Sequence, residues 1–444
     1  MLTPRRLTPC RLNQCRLGRG RLNQMARPGL ALLATAGLVA MAAAGLVSLA
    51  GPAAAAVRQG SGELTRSAAA DSIRGNQQWV LNMLNAQAAW SVTRGAGVTV
   101  AVIDSGVNPY VSDLAGSVVT GPDYTGVTTS PASKDWGVHG TWMASLIAGH
   151  GHEGGLSGVI GIAPRARILS IRVIPDRGDP HYSRYERERE TVIQQSLADG
   201  IGYAVAHGAR VISMSIGYSA PSSTVRAELQ RAYDHGVVVI ASAGNSGGPA
   251  GSNRAGEAPE SFPANYPGVI SVGAVDFSGA VAGFSSENLS VQVAAPGVSV
   301  PAQGRDGQYW WVSGTSPACA LVAGVAALIK SRYPALAPDL VASALTSTTT
   351  GRPAGGYDSQ VGFGIVDAAA ALARAGQLAG ARAAVSSIKA TARYHGAVPR
   401  EPVRPRGSGQ LVLFALLALS SLVLAAAAGT RLAVLRRAAG RADR

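Results

Sequence analysis

Between Val98 and Ala295 the chain repeatedly sets a short apolar run beside a segment with helical spacing. The first run, VTVAVID at 98–104, carries hardly any polar side chain before its final Asp104. A strand with one wet face would alternate, so a continuous run of this kind belongs to a sheet covered on both sides, which means parallel strands. Further strands are expected at Ala166–Ile174, Arg210–Ile216, Val237–Ala243, Val269–Val275 and Val291–Ala295. Helices are expected at Trp79–Trp90, Gly140–Gly149, Thr191–His207 and Val225–His235. This alternation predicts an α/β fold, a mostly parallel sheet flanked by helices. His207-Gly208 and His235-Gly236 each end a helix with a cation and a left-handed glycine, so both histidines read as caps. Ligands of such sheets bind where strands end in their carboxyl termini.

Charge needs locating before it is interpreted. The net charge of the 444 residues is +14, but residues 1–30 hold 7 Arg and no acid, and residues 374–444 hold 12 Lys+Arg against 2 acids. Residues 98–373 hold 16 Lys+Arg against 21 Asp+Glu, so the folded part is mildly acidic. A nucleic-acid partner is therefore not expected.

The termini read as targeting and anchoring segments. Arg27, the apolar run Leu30–Ala50 and the small residues Ala53–Ala56 make a signal peptide over 1–56, cut after Ala56. An uncleaved anchor is the competing reading of that pattern. Residues 1–24 repeat Arg-Leu-Asn-Gln at 11–14 and 21–24, and Met25 is the expected true start. Only Cys319 then remains after cleavage, so no intrachain disulfide is expected. It reads as a small buried apolar residue. Leu411–Gly429 is a run of 19 residues without a charge, enough to cross a bilayer, and a transmembrane helix is expected over 410–430. Arg431, Arg436, Arg437, Arg441 and Arg444 should keep the 431–444 tail in the cytoplasm, giving a single-pass type I protein in the cell membrane, its catalytic part outside. Residues 57–78 are a polar extension, irregular to residue 77, and 374–409 a Pro- and Arg-rich linker. The compact domain is expected over 79–373.

Chemistry concentrates at strand ends and helix starts. Ser313-Gly314-Thr315-Ser316-Pro317 runs into an Ala-rich helix, which places Ser316 among free N–H groups at the positive end of the helix dipole. A serine there is a helix cap or a nucleophile. A nucleophilic serine needs a histidine as base, and the base needs a carboxylate to fix its tautomer. Asp104 ends the first strand and His139 opens a helix, while Asn245 ends another strand with an amide that can donate to an oxyanion.

These segments resemble the subtilisin-like serine proteases (peptidase S8 family), whose chain order is Asp, His, Ser. The resemblance rests on VAVIDSGV from Val100 onward, HGT at 139–141, SMSIG at 213–217, SAGN at 242–245, SGTSPA at 313–318 and GFGIVD at 362–367. It implies a subtilisin-like fold in which Asp104 orients, His139 is base then acid, Ser316 is nucleophile, and Asn245 with the Ser316 N–H forms the oxyanion hole. It also implies a peptide-binding cleft along Ser213, Ser215, Ile216 and Gly217 on one side and Ala241, Ser242, Ala243 and Gly244 on the other. Two positions depart from the family pattern: Val138 stands where glycine is usual, and Pro317 where a larger apolar residue is common. Neither removes a catalytic group. No cofactor is implied and no metal is assigned; structural calcium occurs in many relatives, but no acidic cluster marks a site.

The whole-chain plan resembles the mycosins, actinobacterial membrane-anchored proteases of type VII secretion. Protein or peptide substrates, the membrane and components of that secretion complex are the partners implied. A structural stabiliser of the complex with dispensable proteolysis, and a general extracellular degradative subtilase, are the competing functions. His150, His152 and Glu153 in GHGHEGG could ligate a metal, but a Gly-rich loop is the simpler reading. YERERE at 185–190 alternates charge and reads as a solvated segment after the 175–184 loop, to which no role is assigned.

Overall fold

The computed structural model describes residues 65–66, 70–127, 129–155, 157–247 and 261–385, and near the C-terminus residues 416, 419–421 and 426–431. In chain order, strand β1 (Thr65–Arg66) precedes helices α1 (Ala70–Met83) and α2 (Ala86–Trp90), then strands β2 (Thr99–Asp104) and β3 (Val118–Asp123). Helix α3 (Val138–Ala148) leads to the short strands β4 (His150–His152) and β5 (Ser157–Ile160), then to β6 (Arg167–Arg172). Helix α4 (Tyr182–Ala206), strand β7 (Val211–Met214), helix α5 (Ser223–Asp234) and strand β8 (Val238–Ser242) continue the alternation. Strands β9 (Val269–Val275), β10 (Val291–Pro296), β11 (Val300–Gln303) and β12 (Tyr309–Val312) precede helices α6 (Thr315–Arg332), α7 (Pro338–Ser347) and α8 (Ala368–Val385).

The continuous apolar runs form one seven-stranded sheet in the order β10-β9-β8-β7-β2-β6-β3. Every neighbouring pair is parallel. All seven residues of β9 are buried, as a strand covered on both faces requires. Within β2 the side chains divide by period two. Val100 and Val102 join the core under α3 and α6, while Ala101 and Ile103 join the core under α4 and α5. Helix α6 is buried on all sides from Pro317 to Lys330, the pattern of a helix inside a core. Each of its Leu and Ile side chains contributes about 1.5–3 kcal/mol of burial. From β2 the chain builds β6 on one flank and β7 on the other, so the carboxyl end of β2 lies at the point where the sheet switches direction.

The sequence expectation of an irregular segment up to residue 77 is corrected, because α1 begins at Ala70. Burial explains it. Ile73, Val80 and Leu81 are buried, and the buried Gln77 exchanges hydrogen bonds with the Ile160 backbone at 2.8 and 3.0 Å. Arg74 donates to the carbonyls of Gly158, Gly155 and Ser157 at 2.8, 3.0 and 3.1 Å. Upstream, β1 pairs antiparallel with β12. The single helix expected over 79–90 is broken at Asn85, which adopts a left-handed conformation (φ 52°) between α1 and α2.

Helix α4 also begins earlier than the charge alternation implied, at Tyr182. Tyr185 is buried, and Arg184 pairs with Glu188 one turn on at 3.5 Å. The glycine-rich stretch after α3 forms the antiparallel pair β4–β5 instead of a loop, and His152 Nδ1 meets the buried Asp113 at 2.7 Å. Among the described residues no group of His, Cys, Asp and Glu could hold a metal ion. His207 and His235 do cap their helices, through contacts of 2.9 and 2.7 Å to the carbonyls of Tyr203 and Arg231. Helix α8 runs on to Val385 with Ala375 buried, past residue 374 where the linker was expected to start.

The signal peptide expected over 1–56 lies outside the described residues, as do most of the linker and the tail. Most of the span expected over 410–430 lies outside them too. Among the described residues no helix is long and apolar enough to cross a membrane.

Candidate active site

Asp104 closes β2 and is almost wholly inside the protein, 1% exposed. Its Oδ1 accepts from the Ser105 N–H at 2.7 Å and meets His139 Nδ1 at 2.8 Å. Its Oδ2 is buried without a hydrogen-bond partner. His139 is the second residue of α3, and its side chain is 29% exposed. Glycine is required next to it. A Cβ on Gly140 would stand 2.1 Å from the Gly106 carbonyl, so any larger residue would push the helix off the loop that follows β2. Gly106 itself (φ 99°) packs against the Trp136 ring.

Partial burial pulls the His139 imidazole down, but the Asp104 charge and hydrogen bond outweigh it, with a further push from Asp176. The net shift is upward despite the opposing Arg177. A contact of Nδ1 with a carboxylate leaves Nε2 as the atom able to accept a proton.

Ser316 is the second residue of α6, whose N-cap Gly314 sits at φ 151°. Among the described residues no hydrogen bond joins its hydroxyl to His139; the hydroxyl donates to the Ser215 carbonyl at 3.5 Å. Ser215 Oγ donates in turn to the Ser316 carbonyl at 3.2 Å. Cys319, one turn on, is fully buried, with Sγ 3.7 Å from the Ser213 hydroxyl, and burial pushes its thiol up to about 12. It is no second nucleophile.

Asn245 is exposed just beyond β8. Its Oδ1 accepts from both the backbone N–H and the hydroxyl of Thr315, at 2.9 and 3.0 Å. An amide held by its oxygen to an N–H must direct its NH₂ elsewhere, which fixes the flip. That nitrogen lies on the Gly314 side of α6, 3.4 Å from where a Cβ on Gly314 would stand.

The expected cleft residues divide into two sets. Ser213, Ala241, Ser242 and Ala243 are buried; Ser213 faces Cys319 on α6, and Ala241 faces the α4–α5 layer. Ser215 and Ile216 are buried as well, and Gly217 and Gly244 are the half-open positions. A Cβ on Gly217 would reach the Ser261 hydroxyl at 2.6 Å, and one on Gly244 the Ser286 hydroxyl at 2.8 Å. A ligand lying here meets backbone more than side chain.

One residue of the site carries no motif. Asp176, four residues past β6, accepts from the Val138 N–H at 2.8 Å and the His139 N–H at 3.0 Å. It sits in the 175–184 loop, to which the sequence assigns no role.

A model of the subtilase family matches residues 95–364. The chain belongs to the subtilase family. Subtilisin DY of Bacillus licheniformis is 37% identical to this subtilase over 257 residues, 58% of this chain and 85% of that protein. Fervidolysin of Fervidobacterium pennivorans is 33% identical over 322 residues, 67% of this chain and 44% of its own length. Among solved structures, MycP1 from Mycobacterium smegmatis aligns with a TM-score of 0.56 and 31% identity over 66% of this chain and 84% of that one. The MycP3 protease from the type VII (ESX-3) secretion system gives 0.55 and 32%, over 66% and 87%. The subtilase is a serine protease, and the chemistry of its family needs no cofactor.

Proposed function

We propose that this subtilase cleaves peptide bonds through an acyl-enzyme at Ser316, with His139 as base and then acid, Asp104 as its orienting carboxylate and Asn245 as an oxyanion donor. The observation that carries the reading is the 2.8 Å contact from His139 Nδ1 to the buried Asp104; Ser316 is the second residue of α6, where its N–H is free to donate. In this mechanism the Ser316 hydroxyl gives up its contact with the Ser215 carbonyl and passes its proton to Nε2 as Oγ attacks the scissile carbonyl carbon. The negative charge then forms on the carbonyl oxygen, where the Asn245 NH₂ and the Ser316 N–H donate. Breaking the C–N bond passes the His139 proton to the leaving amine, and water repeats the sequence on the ester. The substrate lies extended between the backbones of Ser213, Ser215, Ile216 and Gly217 and of Ala241, Ser242, Ala243 and Gly244.

The site acts on the outer face of the cell membrane, anchored by the apolar run at 411–429, on protein or peptide substrates of a type VII secretion system. Support for that setting comes from the arrangement of signal, domain, linker and span, and from the likeness to MycP1 and MycP3. Labelling of the wild-type protein by a fluorophosphonate, absent in Ser316→Ala, is the expected result. Retained labelling or peptide cleavage by Ser316→Ala would overturn the assignment.

A further inference from the structure

The N-terminus of α3, the helix that carries the proposed base, has no cap of its own: Gly137 precedes it in a left-handed turn (φ 75°) and offers no side chain. The acceptor comes from elsewhere. Asp176, 8% exposed, reaches across from the segment after β6 and takes the N–H of Val138 on Oδ2 and the N–H of His139 on Oδ1. The loop that holds it is itself fixed. Asp179 accepts from the buried Arg172 guanidinium at 2.9 Å, from the Thr129 hydroxyl at 2.6 Å and from the His181 N–H at 2.9 Å. Arg172 also donates to the Ser105 carbonyl at 3.1 Å, next to Asp104. Two carboxylates therefore hold one histidine, Asp104 by the ring and Asp176 by the backbone.

The geometry points to Asp176 as a positioning residue for His139, one that pins the first turn of α3 and places a fixed negative charge where the imidazolium forms. A carboxylate at a helix N-terminus is stabilised by the free N–H groups and the dipole, so it stays put while the proton moves. Among the described residues the charged groups acting on the pair are Asp104 from β2, Arg177 on the same loop, and Arg305 from the turn between β11 and β12. Asp135 and Asp306 face Arg305 in their turn. Burial holds the Asp176 carboxyl above its ordinary value despite the two N–H bonds and the Ser105 hydroxyl that pull it down, and above that value its charge adds to the upward push on His139.

The inference rests on the serine-protease reading, and the rate of fluorophosphonate labelling of the full chain, measured against pH, tests the two separately. A wild-type protein that does not label sinks the protease assignment, and this inference with it. Given a wild-type protein that labels, Asp176→Asn should react about tenfold more slowly at its plateau. Its acidic limb should move down by about 0.5 pH unit, because removing a negative charge lowers the imidazole pKa. Asp176→Glu keeps the charge, so it should lose rate while its limb stays with the wild type. A limb in Asp176→Asn that coincides with the wild type overturns the proposal, as does an equal shift in both variants. Should Asp176→Asn fail to fold, Asp176→Glu decides alone: a displaced limb there rules out the fixed charge as the cause.

Discussion

Asn245 spends its oxygen on Thr315, and that choice determines what its nitrogen can do. With Oδ1 engaged by an N–H, the amide hydrogens stay free for an oxyanion, so Asn245→Ala should lower kcat by about 10²–10³ with KM nearly unchanged. Steady-state kinetics on a peptide substrate checks this; a variant that altered KM alone would show ordinary substrate binding instead. His139 gives a second expectation. Its pKa lies above the ordinary 6.5, mainly through Asp104, and only the neutral ring can accept the Ser316 proton. Activity should therefore be full above the raised value and fall as pH drops through it. A kcat/KM profile should place the acidic midpoint above 6.5, and a midpoint below that would contradict the ion pair. Asp104, His139, Asn245 and Ser316 stood out in the sequence as candidates because each lies at a strand end or a helix start and the chemistry proposed for them is mutually dependent. Asp176 did not. It acts on the backbone of a distant helix, and no local pattern distinguishes such a carboxylate from a turn former.

At the scale of elements, length and continuity decided what could be read. The strands β2, β6, β7, β8, β9 and β10 were visible as apolar runs, with ends no more than two residues from those observed. Strands β1, β4, β5, β11 and β12 are two to four residues long and too short to establish a period. The start of α4 was hidden by its alternating charges, which satisfy a helix surface as well as a loop. Helix α1 was hidden because much of what anchors it is polar. Gln77 and Arg74 bind backbone groups of the β4–β5 region, a partner more than eighty residues away. Gln77→Ala leaves the Ile160 N–H and carbonyl without these partners in a buried place, at a cost of about 1–3 kcal/mol. In thermal denaturation the midpoint should fall by about 2–4 °C per kcal/mol. No change would mean that the Gln77 hydrogen bonds contribute nothing to the stability of the domain.

For the whole molecule, the parallel sheet, its two helical layers and the basic termini were all foreseeable from hydropathy and charge. How the segment before β2 joins the domain was not. If 411–429 is the anchor, a chain ended at residue 409 should leave the membrane fraction, while the full chain stays there until detergent is added. The competing structural role separates cleanly from the enzymatic one: cells carrying Ser316→Ala should fail to process substrate, and secretion no worse than wild type beside a defect in cells lacking the protein would favour a scaffold. The segment before β2 bears on maturation as well. Because β1 is hydrogen-bonded to β12 and α1 is locked onto β5, scission of the polymer anywhere between them and β2 would create new ends without letting the severed piece diffuse away. The pairing of β1 and the side chains of α1 tie this leading portion to the body of the domain.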